Sequence, residues 1–287
     1  MIPEFIRTVA ALTPRAVIME NVRGLLRQGF RTYFGYVILQ LTYPTVTRRD
    51  GESWLEHLNR LEELQTSGHG DSFLRYNVVY RSLNSANYGI PQTRERVFIV
   101  AFRADTGIEW HFPEPTHSRE ELLRDQWVTG AYWKRYGVKA PNEPLALRLP
   151  LIDSSLLPWR TVRDATCDLP EPSADRDTPG VLNHRLVPGA RSYVGHTGSP
   201  LDWPSKTLKA GDHGVPGGEN MMALADGSVR YFTVREAARL QTFPDEWQLS
   251  GSWTESMRQL GNAVPVDLGR LISSSVARAL TDCHLDE

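Results

Sequence analysis

Cysteine is scarce in this sequence, long hydrophobic runs are missing, and neither sign of charge dominates. Its two cysteines, Cys167 and Cys283, stand far apart and form no CxxC pair, which excludes a disulfide framework and a thiolate zinc site. His184, His196 and His213 have no metal-ligand spacing, so no metal is expected. The longest uncharged stretch, Thr32 to Thr47, is interrupted by Gln40 and Pro44 and falls short of the roughly 18 apolar residues of a membrane span. No charged-then-apolar leader opens the chain: the stretch from Met1 to Arg7 reads like the interior of an enzyme, and a reducing cytoplasm fits the cysteine usage. A formal net charge of −2 gives no general basic signal, so nucleic-acid binding would rest on a local basic face.

What is present suits two folded cores: 287 residues, 40% hydrophobic and 23% charged, against about 150 residues for one domain. Glu4 to Leu12 alternate in a helical sense until Pro14, and the apolar run Ala16-Val17-Ile18-Met19 then predicts a buried parallel strand. Glu20 and Asn21 follow directly, where open α/β sheets place ligands. Helical material through Leu41 and a peripheral helix over Trp54 to Leu64 come next. Two β-rich runs, Tyr76 to Arg81 and Arg96 to Phe102, predict neighbouring strands of one sheet. From Pro113 to about Gly227 prolines, glycines and tryptophans crowd in, and only isolated short strands are expected. Thr233-Val234-Arg235-Glu236 forms a capping box ahead of a helix to about Gln241. The last helix follows Pro265, with Leu268, Leu271, Ile272, Val276 and Ala279 on its apolar face.

Four segments in this order resemble the later motifs of cytosine-5 DNA methyltransferases: Glu20-Asn21-Val22, Gln92-Thr93-Arg94-Glu95-Arg96, Arg235 to Pro244, and Gln259-Leu260-Gly261-Asn262-Ala263-Val264-Pro265. The second follows a lead-in from Leu83 to Pro91 that the family also uses. The resemblance implies a thiolate adding to carbon 6 of a flipped cytosine, and a methyl group passing from S-adenosyl-L-methionine to carbon 5. The thiolate addition puts electron density on the ring nitrogen beside the exocyclic amine, where an acid can donate a proton or a strong hydrogen bond. By resemblance Glu20 is that acid, Arg96 holds the base edge, Arg94 supports it and Gln92 assists. On an extended segment Arg94 and Arg96 project from one face. From the residues alone, a loop-capping glutamate and a solvated strand edge remain open.

Asn262 and Ala263 are expected just ahead of a helix, with backbone amides and the Asn262 side chain turned to the amino-acid end of the cofactor; a plain helix cap is the other reading. Arg235 and Arg239 are expected in internal ion pairs that order a hinge. The irregular region corresponds to a target-recognition domain for double-stranded DNA. Within it Lys206, Thr207 and Lys209 resemble the family's Thr-Leu element at the DNA backbone, and Gly211 to Asn220 forms a glycine-rich loop able to approach DNA; either is equally readable as a turn.

The family's Phe-x-Gly-x-Gly-Gly cofactor loop and Pro-Cys-Gln nucleophile motif do not occur, and Cys167 and Cys283 are bystanders. The fold class expected is α/β: a partial Rossmann-like methyltransferase sheet with a small, irregular, mainly-β recognition domain. Residues 1–112 form the later part of the catalytic domain, 113–229 the recognition domain, and 230–287 a hinge and terminal helix returning to the catalytic domain. The implied partner is a complementary methyltransferase subunit carrying the nucleophilic cysteine, with a split or truncated enzyme as variants. A catalytically silent DNA-binding or regulatory module is the alternative; a tRNA methyltransferase is disfavoured by the long recognition region.

Overall fold

The computed structural model describes residues 2–67, 73–141, 155–176, 178–210 and 219–283. They fall into two compact units, the first taking in 1–83, 95–113 and 271–287 and the second 84–94 and 114–270. No helix among the described residues is long and apolar enough to cross a membrane.

In the first unit, helix α1 (Ile2–Leu12) buries Ile6 and Val9 and stops at Thr13, whose φ of 43° leaves the helical region before Pro14. Strand β1 (Ala16–Val22), helices α2 (Arg31–Thr42) and α3 (Trp54–Thr66), and strands β2 (Tyr76–Asn84) and β3 (Glu95–Arg103) follow. The sheet order is β1-β3-β2. Central β3 buries every residue from Val97 to Phe102, while β1 buries only Met19 and leaves Ile18 36% exposed.

The parallel strand expected at β1 is corrected: it pairs antiparallel with β3, from Ala16 opposite Phe102 to Val22 opposite Arg96. A run of four apolar residues carries no information on strand direction, and β1 lies at the edge of the described sheet rather than inside it. One side of the pair, Val17 and Met19 with Val97, Ile99 and Ala101, packs beneath α1 and α2. Each such large side chain contributes about 1.5–3 kcal/mol on burial. Helix α3 opens on a capping box between Ser53 and Glu56 and sets Leu58 and Leu61 against Tyr36 and Tyr43.

The second unit holds more helix than its sequence texture suggests. Beside the short strands β4 (His117–Ser118), β5 (Leu157–Pro158), β6 (Ser199–Pro200), β7 (Met221–Ala223) and β8 (Val229–Tyr231) lie short helices α4 (Arg119–Leu123), α5 (Ala131–Tyr136) and α6 (Val162–Thr166). Ser118 caps α4 and a Thr161–Asp164 box caps α6, local signals strong enough to start a turn where apolar periodicity is weak. Helices α7 (Val234–Leu240) and α8 (Trp253–Asn262), within the expected hinge segment, also belong to this unit. They bury Ala237, Leu240, Met257 and Leu260 in one core with Leu208, Met222 and Phe232. Helix α9 (Val266–Asp282) carries the predicted apolar face, with Leu268, Ile272 and Val276 buried.

Candidate active site

Antiparallel register brings Glu20 and Arg96 together. Val22 lies opposite Arg96 and Glu20 opposite Phe98, so Glu20 and Arg96 are diagonal neighbours on one face of the β1–β3 pair, within reach of long side chains. Arg96 Nε stands 2.9 Å from Glu20 Oε1, with the two side chains only 13% and 24% exposed. Burial pulls the Arg96 guanidinium below its ordinary value, and the Glu20 charge opposes that pull. Arg96 Nη1 also donates to the Glu95 carbonyl at 2.8 Å, and the Glu95 carboxylate is itself paired with Arg23. The carboxylate and guanidinium are thus held by the sheet rather than by a loop.

Arg94 immediately precedes β3 and is grouped with the second unit. The side chain is 1% exposed, and Nη2 donates to the carbonyls of Gly261 at 2.7 Å and Ala263 at 2.9 Å. Those two acceptors make Arg94 the support of the turn after α8. Asn84, not singled out in the sequence, accepts from the Ala86 and Arg94 amides and shapes the turn between β2 and β3. Its signal was an Asn at the start of a Ser-Ala-Asn turn.

Gln92 is fully buried, and its amide atoms meet no hydrogen-bond partner among the described residues. It forms a β-bridge with Ser205, beside Thr93, whose amide and hydroxyl both donate to the Ser205 carbonyl. Thr207 Oγ1 donates to the Thr93 carbonyl at 2.8 Å, inside this unit. Lys206 Nζ pairs with Glu219 at 2.5 Å, and Lys209 Nζ stands 3.4 Å from His196 Nδ1. Burial pulls the Lys209 ammonium down, with Glu219 opposing and Lys206 reinforcing the shift. Residues 211–218 of the glycine-rich loop, His213 included, lie outside the described residues.

Asn262 and Ala263 stand just ahead of α9, as expected, and also close α8. Asn262 is the last residue of α8 and is exposed, whereas the Ala263 amide already donates to the Gln259 and Leu260 carbonyls. The free amide predicted at Ala263 is therefore taken up by the C-cap. Gly261 is required by close approach: a Cβ there would stand 2.3 Å from Ala210 N and 2.4 Å from Lys209 C. Arg235, 0% exposed, donates to the carbonyls of Leu182, Pro244 and Trp247 and lies 3.7 Å from Asp245. Arg239 pairs with Asp168 and Asp245. Both arginines hold structure, as their sequence context predicts. His184 is a core residue bonded to Thr233 and the Pro170 carbonyl, and no metal-binding cluster occurs among the described residues.

A family model described as C-5 cytosine-specific DNA methylase matches residues 47–136 and 190–278, more than half of the chain. The Type II methyltransferase M.SacI of Streptomyces achromogenes is 29% identical over 98% of this chain and 64% of its own length. M.NgoFVII of Neisseria gonorrhoeae is 32% identical over 91% of this chain and 58% of its own length. A solved putative DNA modification methyltransferase encoded in an Escherichia coli prophage is 18% identical, with a TM-score of 0.49 over 97% of this chain and 73% of that one. The chain spans about three fifths of the curated relatives it matches. With two separated stretches matching in order on either side of a variable region, the chain belongs to the C-5 cytosine-specific DNA methylase family.

Proposed function

We propose that these 287 residues are the carboxy-terminal part of a DNA (cytosine-5-)-methyltransferase of a restriction-modification system, acting on a flipped cytosine in double-stranded DNA. The nucleophilic cysteine and the cofactor loop come from polypeptide outside these residues, a complementary methyltransferase subunit or a preceding segment. The carrying observation is the Glu20–Arg96 pair, held at 2.9 Å on adjoining strands.

Each group then has a task that its chemistry allows. Thiolate addition to carbon 6 pushes an electron pair toward the ring nitrogen at position 3, and the Glu20 carboxyl group holds or delivers a proton there. Arg96 contributes a planar donor fork for the carbonyl oxygen at position 2 and fixes the Glu20 carboxylate before the base enters. Arg94 acts through the turn it supports, because its Nη2 is committed to the Gly261 and Ala263 carbonyls. S-adenosyl-L-methionine supplies the methyl group when bound. The exposed Asn262 side chain fits a contact with its amino-acid end, and Ala263 contributes there through backbone shape rather than a free amide. Lys206, Thr207, Lys209 and Gln92 belong to the DNA-facing part of this reading, Thr207 and Gln92 by shaping the backbone.

The test combines this chain with a polypeptide carrying the Pro-Cys-Gln and glycine-rich segments and follows labelled methyl transfer to duplex DNA. Transfer by the combination and by neither part alone is expected. Transfer by this chain alone would overturn the external cysteine, and none from a folded, DNA-bound combination would overturn the activity.

A further inference from the structure

The second unit contains a cavity of about 250 Å³ that takes no part in the chemistry assigned above. Two aromatic pairs border it. Tyr193 and His196 stack with ring centroids 4.3 Å apart, at the base of a tight turn closed by mutual backbone hydrogen bonds. Tyr231 and Trp253 meet at 4.9 Å, and Trp253 Nε1 is anchored on the Phe232 carbonyl. Arg191 and Lys209 add positive charge to the lining.

Glu219 gives the cavity its selectivity. It is 2% exposed, lines the cavity, and its Oε2 is taken by Lys206 Nζ at 2.5 Å. Its Oε1 accepts no hydrogen bond among the described residues; the His196 Nδ1 ring nitrogen stands 3.7 Å away. A buried carboxylate oxygen without a donor costs free energy until a donor arrives. A phosphate supplies none and repels it, whereas a base edge bearing an amine supplies one. Aromatic faces suit a flat ring, and the exposed Arg191 beside the half-buried Lys209 suits the phosphate attached to it.

We propose that this cavity binds one nucleotide whose base carries an exocyclic amine, through a hydrogen bond to Glu219 Oε1 and stacking on the Tyr193 and Trp253 sides. It is a base site separate from the one assigned to Glu20 and Arg96, and it rests on DNA being the substrate. In DNA it reads a nucleotide other than the target and so bears on sequence preference. Cytosine and thymine test this sharply, because they differ at position 4 by an amine against a carbonyl oxygen.

The experiment titrates the full chain with dCMP, dAMP, dTMP and inorganic phosphate, read by tryptophan fluorescence and by protein NMR. Binding of dCMP and dAMP about tenfold tighter than dTMP is expected, the size of one matched hydrogen bond. Glu219→Gln keeps an oxygen for Lys206 and turns an amide donor to the cavity, so the preference should reverse toward dTMP. Tyr193→Ala, at a residue 61% exposed, should weaken all nucleotides alike without changing their order. A melting curve confirms folding, and if Glu219→Gln does not fold, the dCMP-to-dTMP ratio of the native chain and the Tyr193→Ala loss decide. Equal binding of all four probes, or preference for phosphate, overturns the proposal in favour of a plain phosphate contact. No nucleotide binding by a chain that still binds duplex DNA in the combined assembly overturns the pocket alone; loss of both overturns the DNA reading with it.

Discussion

Substituting alanine for glycine should have opposite effects at two helical positions of this chain. Gly35 lies exposed inside α2, and a Cβ there meets nothing within 4 Å. Gly35→Ala should therefore stabilise by about 0.5–1 kcal/mol, the difference in helix propensity. Gly261 lies in the last turn of α8 and gains the same propensity term, but its Cβ would stand 2.3–2.5 Å from backbone atoms of Lys209 and Ala210. Those atoms cannot swing aside like a side-chain tip. Overpacking of this kind costs about 1–3 kcal/mol or more, which exceeds the propensity gain. The shift also moves the Gly261 carbonyl that Arg94 holds at 2.7 Å, so the net loss should reach about 2 kcal/mol. Equilibrium unfolding in urea, with the slope compared between variants, measures both. A neutral or stabilising Gly261→Ala would refute the idea that close backbone approach, rather than cofactor contact, demands this glycine.

Two further outcomes concern the arginines of α7. Arg235→Met leaves the Leu182, Pro244 and Trp247 carbonyls without their buried donor and should cost about 1–3 kcal/mol, read as a lower melting temperature; Arg235→Lys should recover part of it. Asp245 and Asp168 are held below their ordinary values chiefly by hydrogen bonds from Arg239. A depressed carboxyl contributes stability above its unfolded value and loses it as pH falls through the folded value, so the loss belongs below about pH 4. Arg239→Gln should flatten the acid side of the stability profile, modestly, because both carboxylates are more than half exposed. An unchanged profile would remove this pairing as a source of acid sensitivity.

Local signals in the sequence translated directly into structure. The Thr233–Glu236 box caps α7, and the spacing of Leu268, Ile272 and Val276 gives the buried face of α9. What depends on distant pairing was not legible. A four-residue apolar run reads the same in either direction, so the antiparallel register that makes Glu20 and Arg96 diagonal neighbours could not be derived from it. The start of α9 directly after Pro265 was legible, whereas α8 was not: it runs through Gly261 and Asn262, its glycine fitting where any side chain would collide. The Glu219 cavity gathers residues from Arg191 to Met257 that form no motif, and only the folded chain brings them together.

Methyl transfer by the combined assembly, measured for Glu20→Gln beside the native chain with duplex affinity determined in parallel, tests the assigned chemistry most directly. The Glu20–Arg96 geometry predicts a fall of about 100-fold or more in the transfer rate, the usual share of a positioned acid, with duplex affinity nearly unchanged. A transfer rate equal to that of the native chain would contradict it.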